Sequence, residues 1–153
     1  MAYIKMMRTL FLTLALLFIS PLNAFADSPA VYTSWKDNLA VSGYDPVSFF
    51  SGKPSQGKAE LSYNYQDVEW RFSTRGNLEL FKTNTSAFLP QYGGYCAWAL
   101  AQGKLAKGSP KHWSVVDGKL YLNFNARIKR RWEKDETHFI EKANKQWPSI
   151  LKD

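Results

Sequence analysis

His112 to Phe124 reads HWSVVDGKLYLNF: two runs rich in apolar residues, His112 to Val116 and Leu120 to Phe124, flank Asp117-Gly118. Asp-Gly between two such runs is a strong short-range signal for a two-residue hairpin turn, so this stretch predicts a β-hairpin. Toward the N-terminus, LSYNYQDVEWRF (Leu61 to Phe72) places Leu61, Tyr63 and Tyr65, then Val68, Trp70 and Phe72, at alternating positions. The alternation breaks at Gln66-Asp67, which predicts a second hairpin with one buried face.

Helices fill the intervals. Ser73 or Thr74 caps a helix running to about Thr83, with Leu78, Leu80 and Phe81 on one face and Lys82 near its end. From Ala126 to about Leu151 the pattern is helical, with Ile128, Trp132, Phe139, Ile140 and Ala143 as core candidates and Trp147-Pro148 at the end. Asp45-Pro46 is a helix-start signal, and Asp45 is expected to cap Pro46 to Phe50. Ser51 to Lys58 is a Gly, Ser and Pro loop without the Lys-Ser/Thr ending of a phosphate-binding loop. Asn84-Thr85-Ser86 matches a glycosylation triplet, of consequence only in a eukaryotic secretory pathway. No internal repeat or low-complexity segment is evident. The expected fold class is α+β: a small antiparallel sheet built from two β-hairpins, with helices packed against it.

Between the hairpins lies Phe88 to Gly103, FLPQYGGYCAWALAQG, which holds the only cysteine. Pro90 and Gly93-Gly94 predict a tight corner leading into a short apolar helical segment, with Cys96 near its start.

The first 26 residues carry Lys5 and Arg8, an apolar run from Leu10 to Ile19, and Ala24-Phe25-Ala26. This is the pattern of a signal peptide cleaved after Ala26, and the run is about half of the roughly 20 residues a membrane span needs. The expected mature chain, an N-terminal arm (27–38) and a domain (39–151), is periplasmic or secreted, with no permanent membrane span. Losing Lys5 and Arg8 takes the formal charge from +7 to +5. Arg127, Lys129, Arg130 and Arg131 form the one dense basic cluster, read as a solvated helix face. Nucleic acid is a poor partner for an exported chain. All three methionines, Met1, Met6 and Met7, lie in the signal segment, which argues against a methionine-based copper carrier.

The runs AVSGYDPVSFF (40–50), WRFSTRGNLELF (70–81), LPQYGGYCAWALAQGK (89–104), WSVVDGKLYLNFN (113–125) and QWPSIL (146–151) together resemble the exported single-domain proteins of the YHS-domain family. The resemblance covers Leu39 to Leu151, although the Tyr-His-Ser triplet that names the family is missing. It implies a small module found beside metal-handling proteins. Short members carry one Cys after the strand aromatic and another in the following helix, and residues 70–81 here contain neither.

Three readings of the site follow. A metal ion, copper-like or another transition metal, could be shared by Cys96 and His112, a two-coordinate arrangement of the kind Cu(I) accepts but below the ligand count of zinc sites. A thiol-dependent redox protein would need Cys96 activated and a base, for which His112 is a better candidate than His138 on its charged helix. Alternatively Cys96 is a small buried hydrophobe, and Tyr92, Tyr95, Trp98, Trp113 and Tyr121 line a site for an apolar or haem-like molecule or a protein partner. The expected function is a small binding protein rather than an enzyme, with a metal ion or a small apolar ligand as its cargo.

Overall fold

The computed structural model describes residues 27–152; the expected signal segment and the expected cleavage site after Ala26 lie outside the described residues. β1 (Lys58–Tyr65) and β2 (Val68–Phe72) pair antiparallel around Gln66 and Asp67, which take φ of 53° and 60°. β3 (Ser109–Val116) and β4 (Lys119–Asn123) pair around Asp117 and Gly118, at φ 49° and 71°. Two consecutive positive φ values match the right-handed twist of the flanking strands. Each hairpin contains one register shift, between Lys58 and Ser62 in the first and between Ser109 and Trp113 in the second. The class is α+β, but the hairpins form separate two-stranded sheets rather than one shared ladder.

The helices are α1 (Arg75–Thr83), α2 (Thr85–Phe88), α3 (Ala97–Ala101), α4 (Ala126–Trp132) and α5 (Glu136–Gln146). Thr74 caps α1 by accepting from the Asn77 N–H, and Leu78 and Phe81 turn inward. Leu80 does not join them: at 100° per residue it lies on the opposite side from Leu78, and it is exposed. The long C-terminal helix is broken, because Asp135 accepts from the His138 N–H and so starts α5 afresh after α4. No helix among the described residues is long and apolar enough to cross a membrane.

Two large clusters and a small third one around Cys96, Ala99 and Ile128 make the core. Phe49, Trp70, Phe72 and Phe81 center the first, where Phe81 has rings on several sides, Phe72 at 5.1 Å and Trp70 at 5.2 Å between centroids. Tyr92, Leu100, Tyr121, Trp132 and Ala143 center the second. β4 serves both: Leu120 and Leu122 enter the first cluster and Tyr121 the second, as the two-residue period of a strand buried on both faces requires. The same succession of corner, hairpin and capped helix occurs twice among the described residues.

Candidate functional site

Cys96 precedes α3 and is 1 % exposed. Its backbone N–H donates to the Ala106 carbonyl at 2.8 Å and it bridges Leu122 of β4, so the segment is tied on both sides. Ala99, Ile128, Trp98 and Ala106 surround the side chain. The thiol donates toward Asn123 Oδ1 at 3.7 Å, an oxygen that also accepts from the Trp98 N–H. Burial pushes the thiol's pKa up, and the backbone N–H groups of Ala99, Phe124 and Trp98 offset only part of that rise. A protonated, enclosed thiol is a poor nucleophile and a poor metal ligand, since both roles belong to the thiolate.

His112 is half-buried on β3, within the stretch where the register shifts. Among the described residues no hydrogen bond joins it to Cys96, and no group of three or more His, Cys, Asp and Glu side chains is placed to hold a metal ion. Apolar side chains line the sulfur, and the polar side-chain atom that meets it is Asn123 Oδ1. His138 is exposed on α5 against Phe139, away from the thiol's neighbours.

The five aromatic candidates do not converge on one site. Trp113 packs edge-on against Phe49 in the first cluster, at 5.6 Å. Tyr121 lies between Tyr92 (5.9 Å) and Trp132 (5.3 Å), and Trp98 is half-buried beside Cys96. Tyr95 donates its hydroxyl to the Pro29 carbonyl at 2.9 Å, and Tyr92 donates to Asn144 Oδ1 at 2.9 Å. Burial raises the pKa of both hydroxyls, with Tyr121 adding to the rise at Tyr92 and Tyr32 at Tyr95.

Of the five, Tyr92 borders an open cleft of about 370 Å³, a volume within the range of small-molecule sites. Val31, Leu89, Tyr92, Trp147 and Leu151 give it apolar walls, and Gln66, Ser86 and Gln91 supply polar groups. One wall is the N-terminal arm. It is pinned where Ser28 N–H donates to Leu151 O (2.7 Å) and Tyr32 N–H to Gly93 O (2.9 Å). The sequence expects 27–38 only as an N-terminal arm and assigns Val31 no part in a site; the apolar triplet Ala30-Val31-Tyr32 is its one signal.

A second polar center was read only as a cap. Asp45, fully buried, accepts from the Val47 N–H through Oδ1, and through Oδ2 from Ser73 N–H (2.8 Å), Ser73 Oγ (2.6 Å) and Asn77 Nδ2 (2.7 Å). The cap is real, and the same carboxylate also ties β2 and α1 to the loop at 45–48. Ser73 and Asn77 lie in the stretch where the family resemblance would place thiols; here both are spent on Asp45. No protein-family model, curated protein or solved structure matches this chain.

Proposed function

We propose that this chain is an exported small binding protein that takes a small apolar or aromatic molecule in the cleft between residues 30–31, 86–93 and 147–151, with Cys96 serving the fold. The observation that carries this reading is the lining: aliphatic and aromatic walls with a few convergent polar groups, the composition of ligand sites in general. The metal and redox readings are set aside because the thiol is enclosed in apolar side chains and its pKa is raised.

The dye ANS (anilinonaphthalene sulfonate) tests the cleft directly. Saturable binding of one dye per chain is expected, with quenching of tryptophan emission because Trp70 and Trp147 line the site. Leu89→Asp is expected to weaken binding by about tenfold or more, equivalent to roughly 1.4 kcal/mol. Leu80→Asp, on the exposed face of α1, leaves binding unchanged. Equal losses in the two variants, or no saturation, would overturn the proposal. In the same preparation a chromogenic disulfide reagent is expected to reach Cys96 only after denaturation; rapid reaction with the native protein would restore the thiol reading.

A further inference from the structure

Every left-handed residue among those described has a counterpart the same distance along the chain. Val41, Ser42 and Gly43 take φ of 51°, 53° and 77°; Tyr92, Gly93 and Gly94, 51 positions later, take 56°, 60° and 85°. Gly52 (74°) matches Gly103 (71°), and Gln66-Asp67 matches Asp117-Gly118 at the same offset. Left-handed backbone is costly for residues with a Cβ, and four of the six paired positions hold at least one such residue, so the recurrence is not a by-product of glycine composition.

The hydrogen bonds keep the same spacing. Asp45 N–H donates to Ser55 O and Cys96 N–H to Ala106 O, at 2.9 and 2.8 Å; Gly52 N–H donates to Phe49 O and Gly103 N–H to Leu100 O, at 3.0 and 2.9 Å. The bridges Leu39 to Glu69 and Tyr44 to Gln56 recur as Pro90 to Leu120 and Tyr95 to Lys107. Both hairpins carry their register shift at the same place, and both following helices are capped by a side chain accepting from the third residue on, Thr74 from Asn77 and Asn125 from Ile128. Gly57 and Gly108 correspond too, each so close to the opposite strand, at Arg71 and at Leu122, that a Cβ would overlap it.

We infer that residues 39–140 are two copies of one folding unit in tandem, and that Cys96 fills in the second copy the acceptor position that Asp45 fills in the first. The positions of the backbone donors agree with this assignment. Asp45 takes the N–H groups of Val47 and Ser73; 51 residues later stand Trp98, whose N–H goes instead to Asn123 Oδ1, the oxygen the Cys96 thiol also meets, and Phe124. The side-chain donors have changed along with the acceptor. Ser73 Oγ and Asn77 Nδ2, which a carboxylate requires, correspond to Phe124 and Ile128, which offer no donor and suit a neutral thiol. Carboxylate with two side-chain donors, or thiol beside the apolar Ile128 with the Phe124 side chain exposed, are alternative fillings of one socket.

Thermal midpoints of exchanged sockets test this, independently of whether the cleft binds dye. Cys96→Asp is made in the natural background and in Phe124→Ser/Ile128→Asn. In the natural background the carboxylate lacks its side-chain donors, and the midpoint is expected to fall by about 10 °C or more. In the donor-bearing background at least half of that fall is expected to disappear, with Asn123, whose Nδ2 has no partner among the described residues, free to turn its amide toward the carboxylate. The reciprocal exchange covers a failure to fold: Asp45→Cys is expected to cost less in Ser73→Ala/Asn77→Ile than alone. An acceptor substitution whose penalty is the same in both backgrounds, at both sockets, would overturn the inference.

Discussion

Replacing Gly93 by alanine puts a methyl group where the N-terminal arm crosses the second corner. Its Cβ would lie 1.8 Å from the Ala30 carbonyl oxygen and 2.9 Å from the carbon, both backbone atoms, so the arm must move. The residue sits at φ 60°, and holding an L-residue there costs about 1 to 2 kcal/mol. Displacing the arm breaks the Tyr32 N–H to Gly93 O and Tyr95 hydroxyl to Pro29 O bonds, at about 1 kcal/mol each. Uncovering part of Val31, now 5 % exposed, removes a further 1 to 2 kcal/mol or so. The expected loss is about 4 to 6 kcal/mol, or roughly 15 to 25 °C in the midpoint for a domain of this size. Differential scanning calorimetry measures it, and ANS titration reports whether the cleft loses the wall that Val31 supplies. Ser42→Ala is the control: that residue holds the same left-handed conformation at the equivalent corner, but its side chain is exposed and no arm crosses it, so a change within about 0.5 kcal/mol is expected. A Gly93→Ala midpoint within about 3 °C of the natural protein, below the roughly 4 °C that one lost kcal/mol would produce, would refute the strap's contribution.

Asp45→Asn keeps the shape of the side chain but turns one acceptor into a donor facing buried N–H and O–H groups; the urea-unfolding free energy is expected to drop by about 3 kcal/mol, and a drop under about 1 kcal/mol would show that the network is dispensable. Burial raises the pKa values of Tyr92, Tyr95 and Tyr121, with Asp117 as the further cause at Tyr121, so the folded chain holds their protons longer than the unfolded chain does. Their contribution is therefore intact below the unfolded tyrosine pKa of about 10 and is lost as pH rises through the higher folded values; urea midpoints are expected to fall above about pH 10 and to fall less in Tyr92→Phe.

How much of this was legible depended on whether the signal was local. Asp117-Gly118 carries its turn in its own chemistry, and Trp70 and Phe72 carry their strand in a two-residue period, so both hairpins could be read. Gln66-Asp67 adopts the same turn with residues that do not advertise it, and was found only through the break in alternation. The repeat was invisible for a related reason. Its conserved quantities are backbone angles and main-chain bonds, and side chains satisfy them in different ways: Val41-Ser42 against Tyr92-Gly93, Asp45 against Cys96, Phe81 against Trp132. Within 39–89 and 90–140 the surviving identities include Gly43 with Gly94, Gly52 with Gly103 and Gly57 with Gly108. These are positions where positive φ or close backbone approach leaves glycine the least strained choice.

That distinction changes what Phe88 to Gly103 means. Its glycines, its aromatic corner and its cysteine looked like the ingredients of a reactive center, yet each has an equivalent in 39–52 doing the same structural work with other side chains. A feature present in both units is explained by the unit. Specific function is better sought where the units differ, and one such difference lies at the corners. Ser42 is exposed, whereas Gly93 lies under the arm, and the arm is in turn bonded to Leu151 at the far end of the chain. The arm and the chain beyond residue 140 are the parts of the described chain with no counterpart in the repeat. Both are drawn to the same corner, and Val31, Trp147 and Leu151 from these two segments wall the cleft there. The asymmetry that the duplicated fold does not need is concentrated where a ligand would sit.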